Sequence, residues 1–594
     1  MSPTVPDTAP AAAPSAASPT VLTRSVRYHA DGGALLEQLT HSGLLRTIAG
    51  PADEGSARPV DCVLLESADI TTKASRTTVV VLEASARLTC WGGTVTAQAL
   101  GAVDAEAPGA DGLAALARLE EGLAEYVTDR SPGRLTLTLP TICDDDPTIE
   151  ERERLTALST IEPLRLLARA EVDHPHLPLE AGAFAFDYLS TFESLPEVAQ
   201  GANTCPDYLF YDARIILVVD HPTREATLVG ASVDAADLER RMEALAVAID
   251  GLEDSADSAD AAHAAANTAV EAPAPAPAGG VVSPGSRVLH AVPTTSDADF
   301  EAVVEEMRGY IADGDVYQVV PSRGFTIDCP DALAAYHVLR HANPSPYMFY
   351  LAAPDFELFG ASPESALLYS VRSGRVAIRP IAGTRPRGLH TDGSVDHERD
   401  TRLELELRTD AKEVAEHVML VDLARNDVAR VSRPGTRSVQ DLLRVDRYSR
   451  VMHLVSEVSG ELAEDLDALD AFRASMTMGT LTGAPKLRAA ELIRQAEGVR
   501  RGSYGGSVGY IRGDGELDTC IVIRSGFVSA GTALVQAGAG VVAASSPAAE
   551  AAETVHKARA VLEAVAAAQG ATLVIDRTGS QTGNQTGSRT DKEA

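Results

Sequence analysis

Between Val21 and about Gly251, short runs of β-branched and aliphatic residues alternate with stretches of helical period. Val60–Glu66, Thr77–Leu82, Leu135–Leu139 and Arg214–Val219 read as strands, and Leu238–Ile249 reads as a helix. Further on, Val414, Val418, Val421 and Val428 recur at helical spacing, which predicts an amphipathic helix over Asp410–Val431. Ser546-Pro547 reads as the N-cap and first residue of another helix. Gly479–Lys486 opens one more, with Pro485 in its first turn and an end near Gly498. Elsewhere the pattern lapses. Residues 252–286 are mostly Asp, Ser, Ala, Pro and Gly and include Ala-Pro-Ala-Pro-Ala-Pro-Ala-Gly-Gly, the composition of a linker. Residues 1–20 and 571–594 read as a disordered arm and tail. The chain thus divides into an amino-terminal region, 21–251, and a denser carboxy-terminal region, 287–570, which carries most of the chemically capable residues.

Composition narrows the function. A chain of 594 residues can bury more than one core. No apolar run approaches the ~18 residues of a membrane span, and the first twenty residues carry no Lys or Arg, so no secretory signal is readable and a cytoplasmic protein is expected. The net charge of −34 argues against nucleic acid as a partner, so an anionic ligand must be gripped locally by arginines, backbone N–H groups or a metal. The six cysteines are scattered, with no CxxC pair and no Gly-x-Cys-x-Gly turn of the kind that glutamine amidotransferases use.

Glu413 and Glu416 lie three apart on one face of the first predicted helix, and Glu550, Glu553 and Lys557 follow the Ser546 cap at similar spacing. An isolated ExxE is usually a solvated face. Two of them on two helices could chelate a hard divalent cation. Gly538 and Gly540, just before the cap, and the Gly479–Gly483 turn could bring backbone N–H groups close to an anion. Neither stretch has the spacing of a dinucleotide fingerprint or a phosphate loop.

Arg379-Pro-Ile-Ala-Gly-Thr-Arg-Pro-Arg-Gly388 resembles a signature of the chorismate-utilising enzymes. So do Lys412–Asp427, Val451-Met-His-Leu-Val455, Gly479–Lys486, Arg501-Gly-Ser-Tyr-Gly-Gly506, Ile521-Val-Ile-Arg524 and Gln536–Arg559. Their order and spacing are similar to those of anthranilate synthase component I, from about residue 290 to 565. Leu64–Ile70 and Phe186–Pro196 extend the resemblance into the amino-terminal region.

The resemblance implies an α+β fold of antiparallel sheets flanked by helices. It also implies conversion of chorismate and ammonia to anthranilate and pyruvate, the first step of tryptophan biosynthesis. It puts Mg²⁺ on Glu416 and Glu553, with Glu413 and Glu550 close by. The substrate pocket would be lined by Gly383, Thr384, Thr480, Tyr504, Arg524, Gly538, Gly540 and Lys557, with Glu364 protonating the departing ring hydroxyl and His453 assisting. A tryptophan inhibitor would contact Glu66, Ser67, Pro344, Ser345, Tyr347, Met348, Tyr510 and Cys520. One departure is Thr77, with Arg76 adjacent, where relatives often carry Lys. Ammonia would come from a separate glutaminase subunit, in an assembly of two synthase and two glutaminase chains.

Two positions separate the relatives. Some aminodeoxychorismate-forming enzymes carry a nucleophilic Lys where this chain has Ala382. Isochorismate-forming ones carry a water-activating Lys where it has Gln318. Aminodeoxychorismate or aminodeoxyisochorismate synthesis is the alternative activity, and a non-catalytic tryptophan-binding regulator is the alternative of a different class.

Overall fold

β-Branched runs make long strands here. Thr77–Leu82 lies within the 17-residue strand Ser75–Trp91, which pairs antiparallel along nearly all of Tyr208–Asp220. The structure, a computed structural model, describes residues 19–51, 57–68, 75–103, 107–141, 150–169, 172, 174–252, 287–390, 394–447 and 451–578. The expected arm and linker, apart from their last or first residues, lie outside these, as do Asp69 and Ile70 and the tail from 579 onward. The other expected strands appear as Cys62–Ala68, Arg134–Thr138 and Tyr208–Asp220, and the expected helix as Ala235–Gly251.

Among the described residues, 23 strands join in one hydrogen-bonded network. The pairing is antiparallel except where Val288–Pro293 runs parallel to Thr572–Ile575. That last strand lies within the stretch expected as a disordered tail, 571–594, and corrects it. Its Thr-Leu-Val-Ile run is too short to stand out beside the polar residues after it, yet it completes a sheet edge.

The sheet ignores the division at 252–286. Tyr347–Ala352 pairs with Glu357–Ser362 on one edge and with Cys62–Ala68 on the other. Likewise Ser507–Arg512 lies between Leu517–Ile521 and Leu179–Phe184. The cores are shared too. Leu35, Leu36 and Leu39 of the helix Gly32–His41 belong to the same buried cluster as Tyr336 and Leu339 of Ala332–Ala342 and Val561 and Val565 of Pro547–Ala568. A second cluster joins Val63 and Ile216 to Phe349, Leu358 and Phe527.

The helix Ala411–Val431 is capped by Asp410, whose side chain accepts from the N–H groups of Lys412 and Glu413. It buries His417, Leu420, Val421, Ala424 and Val428. Val418, expected in the apolar stripe, is exposed; it stands about 100° round the helix from His417. Pro485 precedes the helix Lys486–Glu497 rather than lying in its first turn, and Gly498 ends it at φ +66°. Ser546 does sit at the N-cap of Pro547–Ala568, but its hydroxyl makes no capping bond.

Phe349 is buried at the junction of the two regions. Phe349→Ala is expected to lower the free energy of unfolding by ~3–5 kcal/mol, the usual result of opening an aromatic-sized cavity. Urea denaturation checks this, and a loss below ~1 kcal/mol would mean the junction is not a packed core.

Candidate active site

One wall is the strand Ile381–Pro386, paired with Val451–Glu461. The register slips between Ala382 and Thr384, and Gly383 takes φ +71°. That conformation favours glycine, and a Cβ there would approach Glu413 Oε2 to 3.1 Å. Gly383 therefore lets the strand touch the first turn of the helix Ala411–Val431. His453 lies opposite Thr384, with Nδ1 3.0 Å from the Gly383 carbonyl oxygen and 3.1 Å from Thr384 Oγ1. A carbonyl only accepts, so Nδ1 carries the proton and the lone pair sits on Nε2. Burial brings the imidazole pKa down to about 4, against the Gly383 hydrogen bond and with the help of Arg524, so it is neutral at pH 7.

Glu364 stands just before the strand Ser365–Ser370, and its carbonyl accepts from the Ile521 N–H at 3.0 Å. Its buried side chain lines a small cavity with Leu423, Asp427, Gly479 and Thr480. Burial raises its pKa to about 8, outweighing the Thr480 hydroxyl, the Ile381 N–H and Lys557, all of which favour the anion. Glu364 is thus a carboxylic acid at neutral pH. Lys486, in the same motif as Thr480, is structural: it donates to Asp427 at 2.7 Å and to the Ser475 carbonyl at 2.8 Å.

The opposite wall comes from the strand Thr532–Gly538, the loop after it and the helix Pro547–Ala568. Tyr504 is buried, its pKa pushed up to about 12 by burial, so it remains a phenol. Beneath it lies Arg501, whose guanidinium is 5.6 Å from the Tyr504 ring and 4.7 Å from that of Phe186, and which pairs with Glu497 at 2.6 Å. A Cβ on Gly538 would come to 3.1 Å from the Tyr504 hydroxyl, and one on Gly540 to 2.6 Å from Gln318 Nε2. Gln318 Oε1 is buried without a hydrogen-bond partner. Lys557 donates to the Gly538 carbonyl at 2.9 Å and pairs with Glu553 at 2.7 Å.

Arg524 holds a positive φ of 51°, rare for a side-chain-bearing residue and common where a site dictates backbone shape. Its guanidinium donates to the Lys557 carbonyl at 3.2 Å, and no carboxylate among the described residues pairs with it. Burial lowers its pKa, with Tyr504 and Glu553 opposing. A desolvated guanidinium without a counter-ion is suited to a bidentate carboxylate.

The four glutamates share one electrostatic neighbourhood. Burial raises the Glu416 pKa; Lys412 works against this, and Glu413, Glu553 and Glu550 add to it. Glu550 is likewise raised by burial and by Glu553. Glu553 is lowered: burial opposes its charge, but Lys557 and Glu550 prevail. The carboxylates do not close into a tight cage, since no three of them bring ligand atoms within 4.8 Å of one another. Glu413 instead pairs with Arg385 at 3.0 Å, and Lys412 stands 3.7 Å from Glu416. Crowded, partly desolvated carboxylates of this kind fit a hard divalent cation, which would relieve their repulsion.

The residues expected to hold an inhibitor also gather. Ser67, Glu66, Pro344 and Met348 line one cleft with Arg340 and His341. A larger neighbouring groove runs from Ser67 and Tyr347 to Ser365 and Ile381. Ser67 faces Tyr347 across the strand pair, and its hydroxyl accepts from the Thr77 N–H at 3.2 Å. The Glu66 carboxylate is already engaged by the Tyr336 hydroxyl at 2.5 Å and Arg340 Nε at 2.7 Å, so it forms cleft wall. Ser345 turns its hydroxyl to the Asn343 carbonyl at 3.4 Å. Cys520 and Tyr510 pack with Tyr347 in the apolar cluster rather than lining either cleft.

An acid at the start of a strand, a neutral histidine, an arginine with no carboxylate partner among the described residues and two glutamate-bearing helices share one electrostatic neighbourhood, a set suited to holding an anion. The family model of chorismate binding enzymes matches residues 136–563, and the chain belongs to that family. Within it, the chain is similar to anthranilate synthase component 1. It is 48% identical to that of Vibrio cholerae over 518 residues, covering 85% of this chain and 91% of that one. It is 47% identical to that of Escherichia coli over 514 residues, covering 86% and 92%. The crystal structure of anthranilate synthase component I from Streptococcus pneumoniae superposes with a TM-score of 0.57 at 27% identity, covering 82% of this chain and 92% of that one.

The raised pKa of Glu364 has a consequence for stability. The unfolded carboxyl ionises near 4.5 and the folded one near 8, so its contribution is fully present below 4.5 and is lost as pH rises to about 8. Glu364→Gln, which cannot ionise, should therefore gain on the wild type across that window by a few kcal/mol, at ~1.4 kcal/mol per unit of pKa. Denaturation curves at a series of pH values test this; parallel curves would place the Glu364 pKa near its ordinary value.

Proposed function

We propose that this chain is the synthase component that converts chorismate and ammonia to anthranilate and pyruvate. The observation that carries the reading is the buried, protonated Glu364, which lines a small cavity with Thr480. The names of its relatives support it. Mg²⁺ would be held by Glu416 and Glu553, with Glu413 and Glu550 beside them, and supplies positive charge for the ring carboxylate of chorismate. Arg524 grips the enolpyruvyl carboxylate, with Tyr504, Lys557 and the backbone at Gly538 and Gly540 shaping the pocket around it.

Glu364 gives its proton to the C4 hydroxyl, which leaves as water while the ring double bonds shift and the ammonia lone pair forms the bond at C2. The C2 adduct then sheds pyruvate and a ring proton to become aromatic. His453, its Nδ1 proton fixed on the Gly383 carbonyl, presents the lone pair of Nε2 toward the reacting ring. Ammonia needs no base to become a nucleophile, which suits Gln318, an amide that cannot deprotonate water. Ala382 offers no competing amine.

The name component 1 in the relatives supports a separate glutaminase as ammonia donor. The clefts at Ser67 support tryptophan as a feedback inhibitor. A cytoplasmic setting suits this chemistry, and among the described residues no helix is long and apolar enough to cross a membrane.

Purified chain given chorismate, ammonium and Mg²⁺ is expected to yield fluorescent anthranilate with an equal amount of pyruvate, whereas glutamine alone yields none. Chelation should abolish turnover, and Glu364→Gln should slow it by about 10²–10⁴-fold, the usual share of a general acid. An aminodeoxychorismate accumulating without pyruvate, or isochorismate, would refute the assignment.

Ser67→Phe places a ring where a hydroxyl bridges two strands at the cleft mouth. Half-inhibition should then need at least ~10-fold more tryptophan, about 1.4 kcal/mol of lost affinity, with the chorismate KM unchanged. Equal sensitivity of mutant and wild type in a tryptophan titration would remove Ser67 from the inhibitor site.

A further inference from the structure

Asp31 caps the helix Gly32–His41, and one oxygen suffices for that: Oδ1 accepts from the Ala34 N–H at 3.0 Å. Its other oxygen faces the helix Ala332–Ala342. Oδ2 lies 3.0 Å from His341 Nε2 and 3.7 Å from His337 Nδ1. The two histidines are four residues apart and so share a face, their rings meeting edge to face at 4.6 Å. Among the described His, Cys, Asp and Glu side chains, this is the one trio whose ligand atoms all fall within 4.8 Å of one another. His337 Nδ1 is buried and has no hydrogen-bond partner.

Two imidazoles and a carboxylate are a ligand set for a borderline-soft divalent ion, whereas Mg²⁺ prefers all-oxygen surroundings. A tetrahedral ion with bonds of ~2.0–2.1 Å keeps its ligand atoms about 3.3–3.4 Å apart, and the two observed separations bracket that spacing. We propose that Asp31, His337 and His341 form a site for a divalent transition-metal ion of the Zn²⁺ class, with water as the fourth ligand.

Binding needs the imidazole protons on His341 Nδ1 and His337 Nε2, which leaves both facing nitrogens with lone pairs. Arg340 is the nearby cation, with NH1 3.3 Å from Asp31 Oδ2. That is its loosest contact, since Nε is held by Glu66 at 2.7 Å and NH2 by the Ala30 carbonyl at 3.1 Å. The ion displaces the weak NH1 interaction and takes the place of the hydrogen bond between His341 Nε2 and Asp31 Oδ2. It fastens residue 31 to a helix 300 residues further along the chain and stands at the rim of the cleft that Arg340, His341 and Ser67 line.

The test uses the full chain, stripped of metal and then held in excess Mg²⁺ so that oxygen sites are occupied. Calorimetric titration with Zn²⁺ should show one ion per chain, and Zn²⁺ should raise Tm. Co²⁺ as the probe should give the strong visible bands of a four-coordinate site with nitrogen ligands, bleached by Zn²⁺. His337→Ala and His341→Ala should each weaken binding by at least ~10-fold, the scale on which even outer partners of a metal matter. Asp31→Asn, which keeps a capping oxygen, should weaken it as well. Absence of Zn²⁺ binding by the wild type, a six-coordinate all-oxygen Co²⁺ spectrum, or equal affinity in the folded variants would each overturn the proposal.

Discussion

The main-chain hydrogen bonds on both edges of Tyr347–Ala352 hold the rest of the molecule in place. On one side they fix Cys62–Ala68, and with it Ser67 and the clefts. On the other they fix Glu357–Ser362, two residues before Glu364. All six of its residues are in register with a neighbour on each edge, so it cannot slide by one residue without turning Phe349 and Leu351 out of their core. The backbone beside Glu364 and the cleft at Ser67 are therefore set by the two edges of one strand.

Electrostatics of opposite kinds meet in the hollow. Burial makes Glu364 a proton donor and His453 a neutral imidazole. A few ångströms of helix bring four carboxylates together with Lys412 and Lys557. The chain carries a net charge of −34, so its general field repels a dianion. Any attraction for an anion is local, as at Arg524, whose buried guanidinium pairs with no carboxylate among the described residues. The site solves locally a problem that the surface creates.

Much of this was legible in the residues. Helical period located Ala411–Val431, and the Ser-Pro pair located the start of Pro547–Ala568, because caps and periodicity are local. The family-like motifs placed Gly383, Thr384 and His453, which the sheet sets side by side. What sequence could not carry was partnership across distance. Nothing near Glu66 signals that Tyr336 and Arg340 bind it, and nothing near Asp31 announces two histidines on a remote helix. Val418 belongs to the valine repeat but stands about 100° round the helix from the buried His417, so it faces solvent. The strand Thr572–Ile575 was masked by its polar neighbours.

That strand is the last described element of the chain, and the helix before it carries Glu550, Glu553 and Lys557. Val288–Ala291 has Thr572–Ile575 as its parallel partner, while its antiparallel neighbour reaches only Val292 and Pro293. During synthesis from the amino terminus, therefore, the sheet stays open along this edge until residues 572–575 have been made. A chain made only as far as Ser546 lacks Glu550 and Glu553 and presents an unpaired strand, the kind of edge that recruits other chains or a chaperone. Closure of that edge and the arrival of Glu550 and Glu553 wait on the same stretch of chain, from Pro547 to Ile575.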